Sequence, residues 1–114
     1  MKFESEIVAE DLLPAIRKII ATRLHADYGY TQEEIAAKLE ITQPAVSQYL
    51  KGKRADSSVV KKLKEDPQTD IFLEDAASKA AKGEKFSDDI AQVIKTSRDK
   101  GLFKEKFRDA DRVL

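Results

Sequence analysis

Residues 32–51 read QEEIAAKLEITQPAVSQYLK, and their spacing decides the fold. Thr31 stands just before this stretch, with Glu34 three residues on and then Ile35, Ala36 and Leu39, which is the pattern of a capping box opening a short helix. Glu40 interrupts it. Thr42 with Pro44 just behind it marks a second N-terminus, because proline in a first turn lacks only an N–H that has no helical partner there. Ala45, Val46, Tyr49 and Leu50 continue at helical spacing, and Gly52 closes the helix. The stretch predicts two short helices joined by a tight turn, the second starting on a threonine cap.

Working outward, Leu12, Leu13, Ile16, Ile19, Ile20 and Leu24 recur at intervals of three and four and form one face of a preceding helix. Asp11 is its expected N-cap, with Pro14 in the first turn, and its end is expected between Ala26 and Gly29. On the other side, Asp56 or Ser57 caps a helix carrying Val59, Val60 and Leu63, which Pro67 terminates. A fifth helix is expected over about Asp70 to Lys82, on Phe72, Leu73, Ala76, Ala77, Ala80 and Ala81, with Gly83 stopping it. A sixth begins at Ser87 with Ile90, Val93 and Ile94, and Gly101 is its C-cap. A last charged segment carries Phe103, Phe107, Ala110 and Leu114, which complete the core or form a dimer seam. Four glycines, three prolines and no Asn-Gly or Asp-Gly pair leave almost no hairpin signal. The fold class is therefore all-α, a bundle of about five helices with a C-terminal helical extension, divided as 1–66 and 67–114.

Composition bounds the rest. A chain of 114 residues and 12.8 kDa is too short for a multi-domain enzyme. Charged residues make up 37%, against roughly 25% in an average globular protein, so the helices are heavily solvated. Twenty-one cations balance 21 anions, and only the distribution of charge can point to a partner. There is no cysteine, hence no disulfide framework and no thiolate metal site or nucleophile. No run approaches the ~18 apolar residues of a membrane span, and the first residues, MKFESEIVAE, are acidic where a signal peptide is basic and then apolar. A cytoplasmic protein with no membrane partner is expected. His25, the single histidine, reads as a helix C-terminal residue rather than a ligand or base, and Asp88 and Asp89 read as first-turn anions of a helix. No nucleophile and base pair, metal cluster or phosphate-cradling glycine loop is visible, so no enzyme, cofactor or metal is expected.

The quoted stretch resembles the helix-turn-helix of the phage repressor and Cro superfamily of DNA-binding proteins. That motif places a small residue fifth, here Ala36, and apolar residues fourth, eighth, tenth, fifteenth and eighteenth, here Ile35, Leu39, Ile41, Val46 and Tyr49. The family favours glycine ninth, where the turn takes positive φ, and this chain has Glu40, a departure costing on the order of 1 kcal/mol. Over Leu12 to Arg54 the chain also looks like a group of short transcriptional regulators of archaeal type, in which a Leu-Pro-Ala-Ile/Val-Arg helix precedes the motif. Tail cysteines often found in that group are missing, so no metal or redox sensing is carried over.

Such a motif implies a recognition helix whose outward side chains read base edges in the major groove. Burial of Val46, Tyr49 and Leu50 is expected to leave Gln43, Pro44, Ala45, Ser47 and Gln48 outward as base contacts. Gln43 and Gln48 can each pair bidentately with adenine, Ser47 can bond several bases, and Ala45 can touch a thymine methyl. Thr31 and Gln32 lie at a helix N-terminus that attracts phosphate. From Ile41 to Lys64 there are six cations, Lys51, Lys53, Arg54, Lys61, Lys62 and Lys64, against the single anion Asp56. Lys51, Lys53 and Arg54 are the expected phosphate contacts. The reading is a sequence-specific transcriptional regulator of double-stranded DNA, with residues 1–66 as its DNA-binding domain. It works as a homodimer through 67–114, where Phe72, Leu73, Val93, Ile94, Phe103, Phe107 and Leu114 exceed what the DNA-binding core needs. The alternative is a coactivator- or antitoxin-like interaction module that keeps the fold.

Overall fold

The computed structural model describes residues 3–108. Among them helix follows helix with no strand: α1 (Glu4–Ile7), α2 (Leu13–Tyr28), α3 (Gln32–Leu39), α4 (Gln43–Leu50), α5 (Ser57–Glu65), α6 (Pro67–Ala81), α7 (Ser87–Asp99) and α8 (Lys104–Phe107). Ala110 and Leu114 of the expected C-terminal stripe lie outside the described residues.

The first helix begins earlier than Asp11. A π-helical turn over Val8–Leu12 joins α1 to α2, and the Leu13 N–H reaches back five residues to the Val8 carbonyl. The physical reason is Pro14, whose ring would clash with the carbonyl four residues before it in a regular α-helix, and a widened turn relieves that clash. Asp11 therefore caps nothing, and its carboxylate lies 3.7 Å from Lys106. From there α2 buries Ala15, Ile16, Ile19, Ile20, Ala21 and Leu24. It ends on Gly29 at φ +69°, the left-handed conformation that only glycine adopts without strain, within the range the spacing predicts.

Four helices pack on α2: α3 and α4, α5, and the long α6. α7 then folds back along α6, and Phe103, just beyond α7, enters the same core as Ile16, Leu63 and Leu73. Part of the apolar surface expected to be spare in the tail is used within the chain. Leu73, Val93 and Phe103 are buried within one chain, and Phe72, Ile94 and Phe107 are half-buried against them. The reason is that α6, which begins at Pro67 rather than near Asp70, lies between α2 and α7 and is covered by both. Ile71 is the large apolar side chain of α6 left outside, at 60% exposure.

Ionic contacts fasten the tail to the earlier helices and its own helices to one another. Arg98 at the end of α7 pairs with Glu4 at 2.7 Å across 94 positions, Arg23 of α2 pairs with Asp70 and Glu74 of α6, and Lys79 and Asp89 join α6 to α7 at 2.9 Å. The Tyr30 hydroxyl donates to the Ala81 carbonyl at 2.9 Å. Asp66 does double duty, accepting the Thr69 N–H at the start of α6 and pairing with Lys100 beyond α7.

Three capping carboxylates give the fold an acid dependence. The Thr31 backbone N–H holds the Glu34 carboxyl below its ordinary value, the Ser58 hydroxyl does so for Asp56, and the Thr69 N–H, aided by Lys100, does so for Asp66. A carboxyl depressed in the folded state contributes stability that is full above the carboxylate range and lost as pH falls through it. The urea midpoint is therefore expected to hold steady from neutral pH to about 5 and to fall below about 4. Asp66→Asn keeps a capping acceptor and removes one titration, so it is expected to make that fall shallower and to lower stability at neutral pH by about 0.5–1 kcal/mol. An unchanged acid slope in this variant would contradict the assignment.

Candidate nucleic-acid interface

The two short helices are built by their caps. The Thr31 hydroxyl accepts the Glu34 N–H at 3.1 Å while Glu34 returns to accept the Thr31 N–H at 3.0 Å, closing the box that starts α3. The Thr42 hydroxyl accepts the Ala45 N–H at 3.2 Å to start α4, with Pro44 in the first turn. Between them Glu40 takes φ +55°, ψ +44°, the left-handed turn for which the motif prefers glycine. Its N–H still bonds to the Ala36 carbonyl, so the turn survives the strain.

α4 ends in two reversed-turn bonds, Gly52 N–H to the Tyr49 carbonyl at 3.1 Å and Lys53 N–H to the Gln48 carbonyl at 2.9 Å. These form a Schellman motif with Gly52 left-handed at φ +72°. The backbone carrying Lys51, Lys53 and Arg54 is thus fixed to the end of α4. Ala55 then takes φ +84°, a strained conformation for alanine, and Asp56 caps α5 through the Ser58 and Val59 N–H groups.

Two contacts hold the C-terminal end of α4 that sequence reasoning misses. Lys18, a full 31 positions earlier on α2, donates from Nζ to the Tyr49 carbonyl at 2.9 Å. A cation there is a second donor to a carbonyl that already accepts the Gly52 N–H, and it complements the helix dipole. The Arg54 guanidinium lies 5.5 Å from the centre of the Tyr49 ring, a cation–π contact on a tyrosine that is 3% exposed. Neither is a pattern of nearby residues, and no sequence signal would have found Lys18. For Arg54, an arginine five positions after a buried tyrosine was the available hint.

Gln43, Pro44 and Gln48 are exposed and Ser47 is half-buried, all on the outer side of α4. Ala45 is corrected: it is 6% exposed and belongs to the inner side. At 100° per residue Ala45, Tyr49 and Val46 fall within an arc of about 100°, whereas Gln43, Ser47, Pro44 and Gln48 span the opposite arc. Alanine at position 45 lets α4 lie close to the bundle. Leu50, at the edge of the buried arc, is half-buried. Thr31 is exposed and Gln32 half-buried at the N-terminus of α3.

Lys51, Lys53 and Arg54 are exposed, and among the described residues none of the three is held in an ion pair. The three lysines of α5 diverge. Lys61 lies 3.8 Å from Glu65, Lys62 sits over the Phe103 ring at 5.7 Å, and Lys64 borders α2. The basic surface beside α4 is accordingly carried by the loop after it.

Residues 21–70 match the helix-turn-helix family model. α3, the left-handed turn at Glu40 and α4 have the layout of that motif. The match runs from the middle of α2 into the first turn of α6, with α3 and α4 as the motif's helix pair, and it supports DNA binding in general. No curated protein and no solved structure matches the chain. Among the described residues no helix is long and apolar enough to cross a membrane.

The helix-turn-helix geometry makes two opposite demands on stability. Glu40→Gly removes the left-handed strain and is expected to stabilise the protein by about 0.5–1 kcal/mol. Ala36→Leu, at a position 9% exposed on the inner side of α3, is expected to destabilise it by ~1–3 kcal/mol or more through overpacking. Thermal or urea unfolding of both variants checks the pair, and destabilisation by Glu40→Gly would contradict the strain argument.

Proposed function

We propose that this protein is a sequence-specific transcriptional regulator that lays α4 in the major groove of double-stranded DNA and works in the cytoplasm as a homodimer. The observation that carries the reading is the outer side of α4. Gln43 and Gln48 stand exposed on a helix whose apolar residues face the bundle, and three cations with no ion-pair partner among the described residues follow at its end. In this reading Gln43, Pro44, Ser47 and Gln48 contact bases, while Thr31, Gln32, Lys51, Lys53 and Arg54 contact phosphates. The likeness of Leu12–Arg54 to short archaeal-type regulators points the same way. An interaction module on this fold would favour an apolar outer side on α4, and Gln43, Ser47 and Gln48 are polar.

Residues 1–66 carry the DNA-binding surface in this proposal, and residues 67–114 carry the dimer contact. One recognition helix reaches only a few base pairs, whereas a two-fold dimer reads two half-sites about 34 Å apart or a multiple of that. With Leu73, Val93 and Phe103 used in the core, exposed Ile71 with half-buried Phe72 is the apolar surface that α6 still offers.

If a dimer neutralises about six phosphates, affinity for duplex DNA is expected to fall roughly a thousandfold between about 50 and 200 mM salt. Gln48→Ala is expected to weaken binding to a selected operator by ~1–3 kcal/mol while leaving non-specific affinity nearly unchanged. Equal losses on both DNAs would contradict base reading by Gln48. Ile71→Glu is expected to shift the full-length protein to monomer in sedimentation, and a monomeric parent protein at tens of micromolar would contradict the dimer.

A further inference from the structure

Between α2 and α5 lies a cavity of about 160 Å³ lined by Lys18, Ile19, Thr22, Arg23, Val60 and Lys64. Three of these six residues are cations and none is acidic. Ile19 and Val60 supply an apolar floor. The cations are not equivalent. Arg23 has a side chain only 15% exposed and is fixed by Asp70 and Glu74, neither of which is in the lining, so it is a rigid guanidinium whose charge is locally matched. Lys18 gives one N–H to the Tyr49 carbonyl and keeps two. Lys64 is exposed and has no ion-pair partner among the described residues. The Thr22 hydroxyl is committed to the Lys18 carbonyl at 2.7 Å.

A larger groove of about 550 Å³, beside the turn between α6 and α7, differs in the decisive respect: its Lys38 and Lys85 share the lining with Glu40 and Glu84. Of these two, the smaller cavity concentrates cations without an anion in its wall. Its size suits a tetrahedral oxyanion with a water or two and not a nucleoside. Arginine and lysine together are the side chains that bind phosphate, one through a planar fork and the other as a point charge.

We infer that this cavity is a binding site for a phosphate group, held by the Lys18 and Lys64 ammonium groups with Arg23 as its rigid wall. Two sources supply that chemistry. One is the DNA backbone, because Lys18 touches the last turn of α4 and so brings the cavity next to the recognition helix; this source rests on the DNA-binding reading above. The other is free phosphate or a small phosphorylated effector, which does not rest on it.

Lys64→Ala separates the cases, since Lys64 is exposed and contributes nothing to the core. Two readouts are taken on the full-length protein and this variant. One is melting temperature during titration with sodium phosphate, against chloride at matched ionic strength. The other is the slope of log affinity for duplex DNA against log salt. A phosphate-specific rise in melting temperature that Lys64→Ala loses establishes the site with a free ligand. A salt slope smaller by about one in Lys64→Ala, with no phosphate-specific rise in the parent, establishes it as a backbone contact. Neither effect in either assay overturns the inference. If the parent protein fails to bind duplex DNA at all, the regulator reading falls, and the melting titration alone then decides the site.

Discussion

Burial of one face of α2 is the interaction on which the rest of this structure depends. Ile16, Ile19, Ile20 and Leu24 are covered by α3, α4, α5 and α6, so each helix is placed by reference to the same axis. At roughly 1.5–3 kcal/mol for each large aliphatic side chain removed from water, that face contributes more than any single polar contact in the molecule. The polar contacts decide something else. Lys18 on α2 holds the end of α4, Arg23 holds α6, and Glu4 holds the end of α7 through Arg98, so the ionic pairs fix angle and register on a scaffold that burial has already assembled.

The consequence for the interface is preorganisation. α4 is only eight residues long, too short to be stable alone, and is held at both ends: by the Thr42 cap at its start, and by the Lys18 bond and the Schellman turn at its finish. Its inner side chains, Ala45, Val46 and Tyr49, lock its rotation. Gln43, Ser47 and Gln48 are thus presented as a set rather than one by one, and the cationic loop from Lys51 to Arg54 is tied to the same helix by backbone bonds and by Arg54 on the Tyr49 ring. Strain is confined to Glu40 and Ala55, the two non-glycine residues with positive φ among those described. They flank α4, one in each connecting segment.

What was legible in the sequence was local. The Thr31 and Thr42 caps, the left-handed turn at position 40 and the glycine ends at 29, 52 and 101 each depend on residues within a few positions, and each is found where the spacing places it. Misreadings arose where distance or helical phase mattered. Asp11 reads as a cap because Pro14 then falls in the first turn, but α1 already starts at Glu4 and the π turn carries the helix through to Pro14. Ala45 looked outward because a small side chain carries little hydropathy, yet its phase puts it beside Tyr49. Leu73, Val93 and Phe103 looked surplus because periodicity marks an apolar face without naming what covers it. The cluster of Lys18, Arg23 and Lys64 draws on two helices about forty residues apart and is invisible to any window.

The central claim is that the outer side of α4, with the N-terminus of α3 and the loop after α4, is the surface that meets DNA. Backbone amide shifts of the full-length protein titrated with duplex DNA test it most directly. The account predicts that the largest changes fall at Thr31, Gln32, Gln43, Ser47, Gln48 and Lys51 to Arg54, while the amides of α7 stay in place. Saturable binding whose shifts are confined to α6 and α7, with α4 unmoved, would contradict it.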